Sequence, residues 1–421
     1  MTTTAGSATG RQTGRGSLVG WLSATKASVG HLLERPLTSY YLLLGAATLL
    51  LTIGLMMVLS ASSVYSYRTY GSSYHVFFKQ LTWVGLALPV TVLAARLPRR
   101  ALRALAWPAL GASVVLIYLT QTGLGFAVNG NRNWLAIGPL TLQPSEIAKL
   151  AVILWCAHVY ARKEKLLDDW RHVLIPMLPV TGLVILLVLW QDDLGTALVL
   201  FAIVLGMLWV VGAPIRLFAG AFAFVAALVG YLAVTNSERL SRLTTFSDPF
   251  KDFQGTGWQP AHGILAMSSG GILGKGISAS VQKWGSLPEA HTDFIFAVLG
   301  EELGLVGTLL VLVLFLTIAY AGIRVAVRTK DPFVRYMAAG ITIWLTVQMM
   351  INIGMVLALF PVIGLPLPLV SYGGSALLPS LVSLGLLMSF ARSEPGAAAA
   401  LRARRRRRAA GVTARGPRGR L

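Results

Sequence analysis

Acidic residues are scarce in this chain. Its 421 residues hold 16 Asp and Glu against 36 Lys and Arg, and only 12% are charged. Soluble domains carry about 25% charged residues, so an ordinary water-facing surface is excluded. Cysteine is nearly absent. Cys156 stands alone, which excludes an intramolecular disulfide and a thiolate metal cluster. The 6 histidines are scattered, with no two at metal-ligand spacing on one helix. The polar start, Met1 to about Glu34, lacks the apolar core and small-residue cleavage site of a signal peptide. The first long apolar run is therefore expected to act as an uncleaved insertion signal. No internal repeat and no soluble domain is visible.

What is present is apolar. Hydrophobic residues make up 55% of the chain, and the mean hydropathy is +0.68. Runs near the length a helix needs to cross a bilayer recur ten times, at about 40–61, 76–95, 104–122, 145–162, 173–190, 194–212, 216–234, 294–322, 335–360 and 374–391. The expected fold is an all-α integral membrane protein of ten transmembrane helices. It has a polar, disordered segment before residue 39 and a basic tail after residue 392. Most of the 36 Lys and Arg fall in the ends and in alternate short loops. By the positive-inside bias both termini are cytoplasmic. The net charge of +20 then reflects topology more than nucleic-acid binding, and the Arg404–Arg408 run reads as a solvated tail near anionic lipid.

The loops on the other side carry the unusual chemistry. The longest, 235–292, mixes Phe246, Phe250, Phe253, Trp258 and Trp284 with glycines, too apolar for a disordered linker. Short interfacial helices are expected there. Asp293 stands where this loop enters the apolar run. An acid at that junction can cap the helix or abstract a proton from a substrate at the membrane surface, and position alone supports both equally. Glu301 and Glu302 lie deeper. They are expected to face protein and to pair with another helix, and the small residues Gly300, Gly304 and Gly307 to form a packing face.

Other polar residues divide between structure and substrate. Glu146 and Lys149, three apart, can pair as a buried ion pair or hold a cation for an anionic substrate. Arg132 lies on the side that positive charge avoids. Lys79 can snorkel or line a groove. Lys275 and Lys283 lie near Gly270, Gly271, Gly274 and Gly276, whose N–H groups could cradle a lipid phosphate. The spacing fails as a P-loop, which excludes ATP. Asp192 and Asp193 form a tight turn and cap before the run at 194, and Pro366–Ser375 is a rigid wall or hinge of a cavity.

Several of these segments occur in a characteristic order: Asn129–Gly138, Gln143–Lys149, Asp193–Thr196, Pro288–Phe296 with Gly300–Gly304, and Pro368–Ser375. Together, over residues 40 to 392, they resemble the SEDS family (shape, elongation, division and sporulation). Pro288-Glu-Ala-His and Gly300-Glu-Glu-Leu lean towards its division branch. The resemblance implies a peptidoglycan glycosyltransferase that polymerises lipid II into glycan strands at the outer face of the cytoplasmic membrane during septal wall synthesis. Asp293 falls on the family's essential aspartate and would be the general base. Alternatives are an elongation-type (RodA) polymerase and a lipid II flippase.

The implied partners are lipid II, a class B penicillin-binding transpeptidase with other divisome proteins, and membrane lipid, with no nucleic acid. Candidate substrate-binding residues are Lys79, Arg132, Glu146, Lys149, Lys275, Lys283, His291, Thr292, Ser371, Gly373 and Gly374. A divalent cation (Mg or Mn) is an optional helper, and no ligand cluster stands out. The chain departs from the family pattern at Asp192, where Pro is common, and at Leu369, where an aromatic is frequent.

Overall fold

A computed structural model describes residues 36–128, 130–138, 140–234, 246, 248–397, 399–400 and 403. Residues 39–394 form one compact unit. The segment before residue 36, read as a disordered start, and the Arg404–Arg408 run, read as a solvated basic tail, lie outside the described residues.

The compact unit is helical. Its long helices are α1 (Thr38–Tyr70), α2 (His75–Arg96), α3 (Arg99–Leu119), α4 (Pro144–Lys163), α6 (Met177–Trp190), α7 (Leu194–Val211), α8 (Ile215–Val234), α10 (Ile295–Arg328), α11 (Pro332–Val356) and α12 (Gly374–Ala391). The short α5 (Trp170–Leu174) precedes α6, and α9 (Trp258–Ser269) lies in the long loop. Eight spans among the described residues are long and apolar enough to cross a membrane, with α5 and α6 counted as one. The protein is thus a multi-pass membrane protein. The runs at 145–162 and 216–234 are the 20-residue helices α4 and α8, which are not among those eight.

Burial ranks the helices. About 78% of the apolar window of α12 and 67% of that of α11 is buried, against 28% for α3. Helices α11 and α12 are therefore the centre, and α3 offers a lipid-facing stripe. Helix α12 packs chiefly on α2, and α11 on α10, α4 and α7. At one end of the bundle Asp331, before α11, takes both Arg99 (3.1 Å) and Arg103 (2.7 Å), and Glu164 takes Arg335 (3.2 Å). These are loops that the charge pattern assigns to a common side.

At the other end, the loop after α3 adds a small sheet that the helix-length runs did not reveal. Strands β1 (Gly125–Val128), β2 (Asn131–Ile137) and β3 (Leu140–Leu142) pair antiparallel in that order. Val128 faces Asn131 across a Gly130 turn with φ 85°. Asp192 has φ 61°. Asp tolerates that left-handed region, whereas proline's ring forbids it. The substitution from the common family residue thus goes with a turn that proline could not make.

The helix α10 is broken. Gly304 has φ 65° and ψ −162°, so 295–303 forms one piece and 305–328 another. A break frees carbonyls on one side and N–H groups on the other, which lipid cannot satisfy. The loop after α9 satisfies them. Lys275 N–H and Gly276 N–H donate to the carbonyls of Glu301 and Glu302 (both 3.0 Å), and Leu305 N–H and Val306 N–H donate to Gly271 and Ile272 (3.0 and 3.2 Å). Gly304 is therefore a break and not part of a regular packing face. Its Cβ would also collide with the backbone of Ile272 and Gly274. Gly304→Ala is expected to destabilise the protein by roughly 2–5 kcal/mol, from the left-handed backbone and the overpacking combined. Denaturant unfolding of the purified variant checks this.

Candidate active site

Asp293 lies between the long loop and α10. The helix N-cap is Phe294, with no side-chain cap bond, so the capping role is not realised. Among the described residues the carboxylate of Asp293 accepts no hydrogen bond. It is half-buried and faces Gly364, where a built Cβ would lie 3.5 Å from Oδ2. Loss of hydration pushes its pKa from 3.8 up to about 7, and the charges of Glu289 and Asp193 push the same way. A carboxyl poised near neutral pH has the character of a general base.

The rim is aromatic. His291 stacks on Tyr65 at 4.9 Å and lies 5.7 Å from Tyr372, and burial lowers its pKa. Beneath it, Thr292 Oγ1 donates to Glu289 Oε2 at 2.6 Å. Asp193 joins three elements. Oδ1 caps α7 through Thr196 N–H (2.9 Å), while Oδ2 accepts from Asn133 of β2 (3.2 Å) and from Gln143 before α4 (2.9 Å). The cap read from the sequence is there, and it also ties the sheet to the bundle.

Many residues expected to touch substrate are engaged by protein instead. Lys149 is fully buried, 2.7 Å from Glu146 and 2.9 Å from Gln348, and lies over the Trp344 ring. Glu146 and Lys149 thus form the buried ion pair that is one of their two readings. Lys283 is buried against Glu302 (3.1 Å), and Lys275 pairs with Glu301 (2.8 Å). Both glutamates are buried as expected, but their cations come from the loop and not from another helix. Two of the glycines near Lys275 approach the broken helix: Gly270 lies against the Gly300 and Glu301 backbone, and Gly274 against that of Glu302 and Gly304.

Ser371 is buried, and its hydroxyl donates to Thr292 O (2.6 Å). Gly373 N–H donates to Gln80 Oε1 at 3.5 Å. Gly374 packs so closely on Trp83 that a Cβ would enter its ring. The Pro366–Ser375 segment does form a wall, lining a small crevice with Gln348.

Two expected cations remain available. Arg132 is exposed, its guanidinium donating to Thr122 O (2.8 Å) and Gly125 O (3.3 Å). Lys79 is partly buried on α2 and makes no ion pair among the described residues. No group of three or more His, Cys, Asp or Glu among the described residues could hold a metal ion.

The family of cell cycle proteins designated FtsW/RodA/SpoVE matches residues 40–395. The chain belongs to this family. It is 40% identical over 377 residues to a protein of Mycobacterium tuberculosis named as a probable peptidoglycan glycosyltransferase, FtsW, covering 89% of this chain and 72% of that one. It is 36% identical to stage V sporulation protein E of Bacillus subtilis, covering 84% and 98%. A solved chain from a peptidoglycan synthase complex that coordinates polymerization and crosslinking matches with TM-score 0.68 at 29% identity, covering 84% and 97%. RodA of Thermus thermophilus matches at TM-score 0.60 and 30% identity, covering 84% and 96%.

Within this FtsW/RodA/SpoVE scaffold, sequence reasoning missed Asn352, which bonds the Asp293 backbone, and Gln348 one turn before it. Gln348 and Asn352 lie one turn apart on α11, both buried. Asn352 Nδ2 donates to the carbonyls of Asp293 (2.9 Å) and Leu365 (2.6 Å), and Gln348 Nε2 donates to Pro366 O (2.9 Å). Two amides at i, i+4 in an apolar run were the available signal, since polar groups at membrane depth mark contacts that matter.

Proposed function

We infer that this chain is a peptidoglycan glycosyltransferase of the septal, FtsW type, polymerising lipid II into glycan strands. The observation that carries this reading is Asp293. Its half-buried carboxylate accepts no hydrogen bond among the described residues, and its pKa is raised to about 7. It occurs in a family whose relatives are named as peptidoglycan glycosyltransferases. Asp293 takes the proton from the 4-hydroxyl of the acceptor GlcNAc as that oxygen attacks the anomeric carbon of the donor MurNAc. The bond from that carbon to the pyrophosphate oxygen breaks, undecaprenyl pyrophosphate leaves with the electron pair, and the anomeric centre inverts. Arg132 and Lys79, which make no ion pair among the described residues, are the cations assigned to offset the leaving group's charge.

The same reading sets the topology: ten crossings, both termini in the cytoplasm, and Asp293 at the outer face of the cytoplasmic membrane at the septum. A class B transpeptidase is the partner, supported by the similar chain from a synthase complex. The purified protein, given lipid II, is expected to make glycan strands that Asp293→Ala does not make. Transport of lipid II across vesicles without strand synthesis would overturn the assignment in favour of a flippase. Restoration of rod elongation instead of septation in depleted cells would move it to the elongation branch.

A further inference from the structure

Three consecutive carbonyls around the catalytic acid are each held by a donor from elsewhere in the chain. His291 O accepts from Tyr372 N–H at 2.9 Å. Thr292 O accepts from Ser371 Oγ at 2.6 Å, and Asp293 O accepts from Asn352 Nδ2 at 2.9 Å. The carbonyl of Thr292 belongs to the peptide plane before the Asp293 Cα, and the carbonyl of Asp293 to the plane after it. Peptide units are rigid, so a residue has only two soft backbone angles. Holding both flanking planes fixes both angles of Asp293 and with them the direction of its Cα–Cβ bond.

The donors are themselves anchored. Asn352 is fully buried, and its amide also reaches Leu365 O at 2.6 Å. Its Oδ1 is buried with no partner. An orphaned acceptor costs free energy that a plain apolar side chain would avoid, so the donor half is what this position retains. Ser371 is buried too. Its hydroxyl oxygen accepts from Leu367 N–H (2.8 Å), and its carbonyl accepts from Gln80 Nε2 (3.4 Å). One turn before Asn352, Gln348 grips Pro366 O and is held by Lys149 Nζ (2.9 Å) and Trp344 Nε1 (2.7 Å). The segment 365–373 is thus strapped to α11 and α2, and the Asp293 segment is strapped to it.

We propose that Asn352 and Ser371 are positioning residues for glycosyl transfer, aiming the Asp293 carboxylate by gripping the two peptide planes that flank it. This rests on the reading of Asp293 as general base. Neither side chain touches substrate; both act through the backbone. A carboxylate released from this grip keeps its chemistry but loses its aim, and a displacement of about 1 Å at a reacting group can lower a rate by about 100-fold.

The test uses the full-length protein in nanodiscs with lipid II, comparing Asn352→Leu, Ser371→Ala and Asp293→Ala across about pH 5.5–9. Both positioning variants are expected to lose about 10- to 100-fold in kcat, with KM for lipid II within about twofold. The pH of half-maximal rate is expected to move down as the freed carboxylate reaches water. Ser371→Ala carries the test alone should Asn352→Leu fail to fold. A kcat within about threefold of the parent, or a loss with no movement of the pH profile, overturns the proposal. If Asp293→Ala polymerises normally, the base assignment itself has failed, whatever the other variants do.

Discussion

Asp293→Asn is expected to lower glycan polymerisation by about 10²–10⁴-fold, the usual worth of a positioned base, while making the protein more stable at alkaline pH. Both effects come from one cause. The carboxyl is stripped of water and set near the charges of Glu289 and Asp193, which raises its pKa from 3.8 to about 7. A raised pKa means that the folded state binds this proton more tightly than the unfolded state. Stability from that proton is complete below pH 3.8 and is lost as pH rises through the folded value near 7. Asparagine carries no such proton.

The variant should therefore match the parent at about pH 4 and exceed its unfolding temperature by roughly 2–4 °C above pH 7. Thermal unfolding at the two pH values measures this. A gain independent of pH would mean that the carboxyl is not desolvated. The parent's rate should fall about tenfold per pH unit below 7 as the base becomes protonated. A protein that keeps a destabilising charge at one point in its fold does so because the charge is used.

Much of this was legible in the sequence, for identifiable reasons. Apolar runs near 20 residues give their helices away, because the bilayer fixes the length. Asp293 was legible because an acid at the end of such a run is costly. Its geometry was not, since capping and catalysis leave the same local trace. The break at Gly304 was hidden. Gly300–Gly304 continues the apolar run, and the bonds that permit the break come from residues 271–276, about thirty positions upstream. The glycines of that loop read as a phosphate cradle, and nothing local shows that Gly270 and Gly274 lie against the backbone of a severed helix. The hairpin after α3 was within reach, because Asn129-Gly130 between strand-like residues is a strong turn signal. Lys149, Lys283 and Ser371 looked like substrate contacts because type and neighbourhood say nothing about burial. Only the fold shows that each already has a partner.

Lys283→Met is expected to cost about 3–5 kcal/mol, since it strips the partner from a buried charge. Lys283 Nζ contacts Glu302 Oε1 (3.1 Å), Ser60 Oγ (3.0 Å) and Ser278 O (2.8 Å), tying the loop to α1 and to the first piece of α10. Glu302 is fully buried, and its Oε2 already lacks a partner. Without the lysine its charge rests on Ser60 and on Ser280 N–H (3.4 Å). Glu301 is better provided. Besides Lys275 it accepts from Ser269, Ser280, Val281 and Gln282, and the Lys275 side chain is 35% exposed. Lys275→Met should therefore cost clearly less.

Denaturant unfolding ranks the two variants. Lys283→Met with Glu302→Gln should recover most of the loss, because the uncompensated charge goes with its partner. Hydrogen exchange at the amides of Lys275 and Gly276 gives a second readout. Those amides close the helix break, so losing the Lys283 anchor should speed their exchange before it affects helices α11 and α12. Equal costs for the two lysines would mean that the backbone bonds alone hold the break. A larger cost for Lys283 would mean that one buried ion pair keeps a discontinuous helix joined to its loop, and so holds in place the short helix that begins beside Asp293.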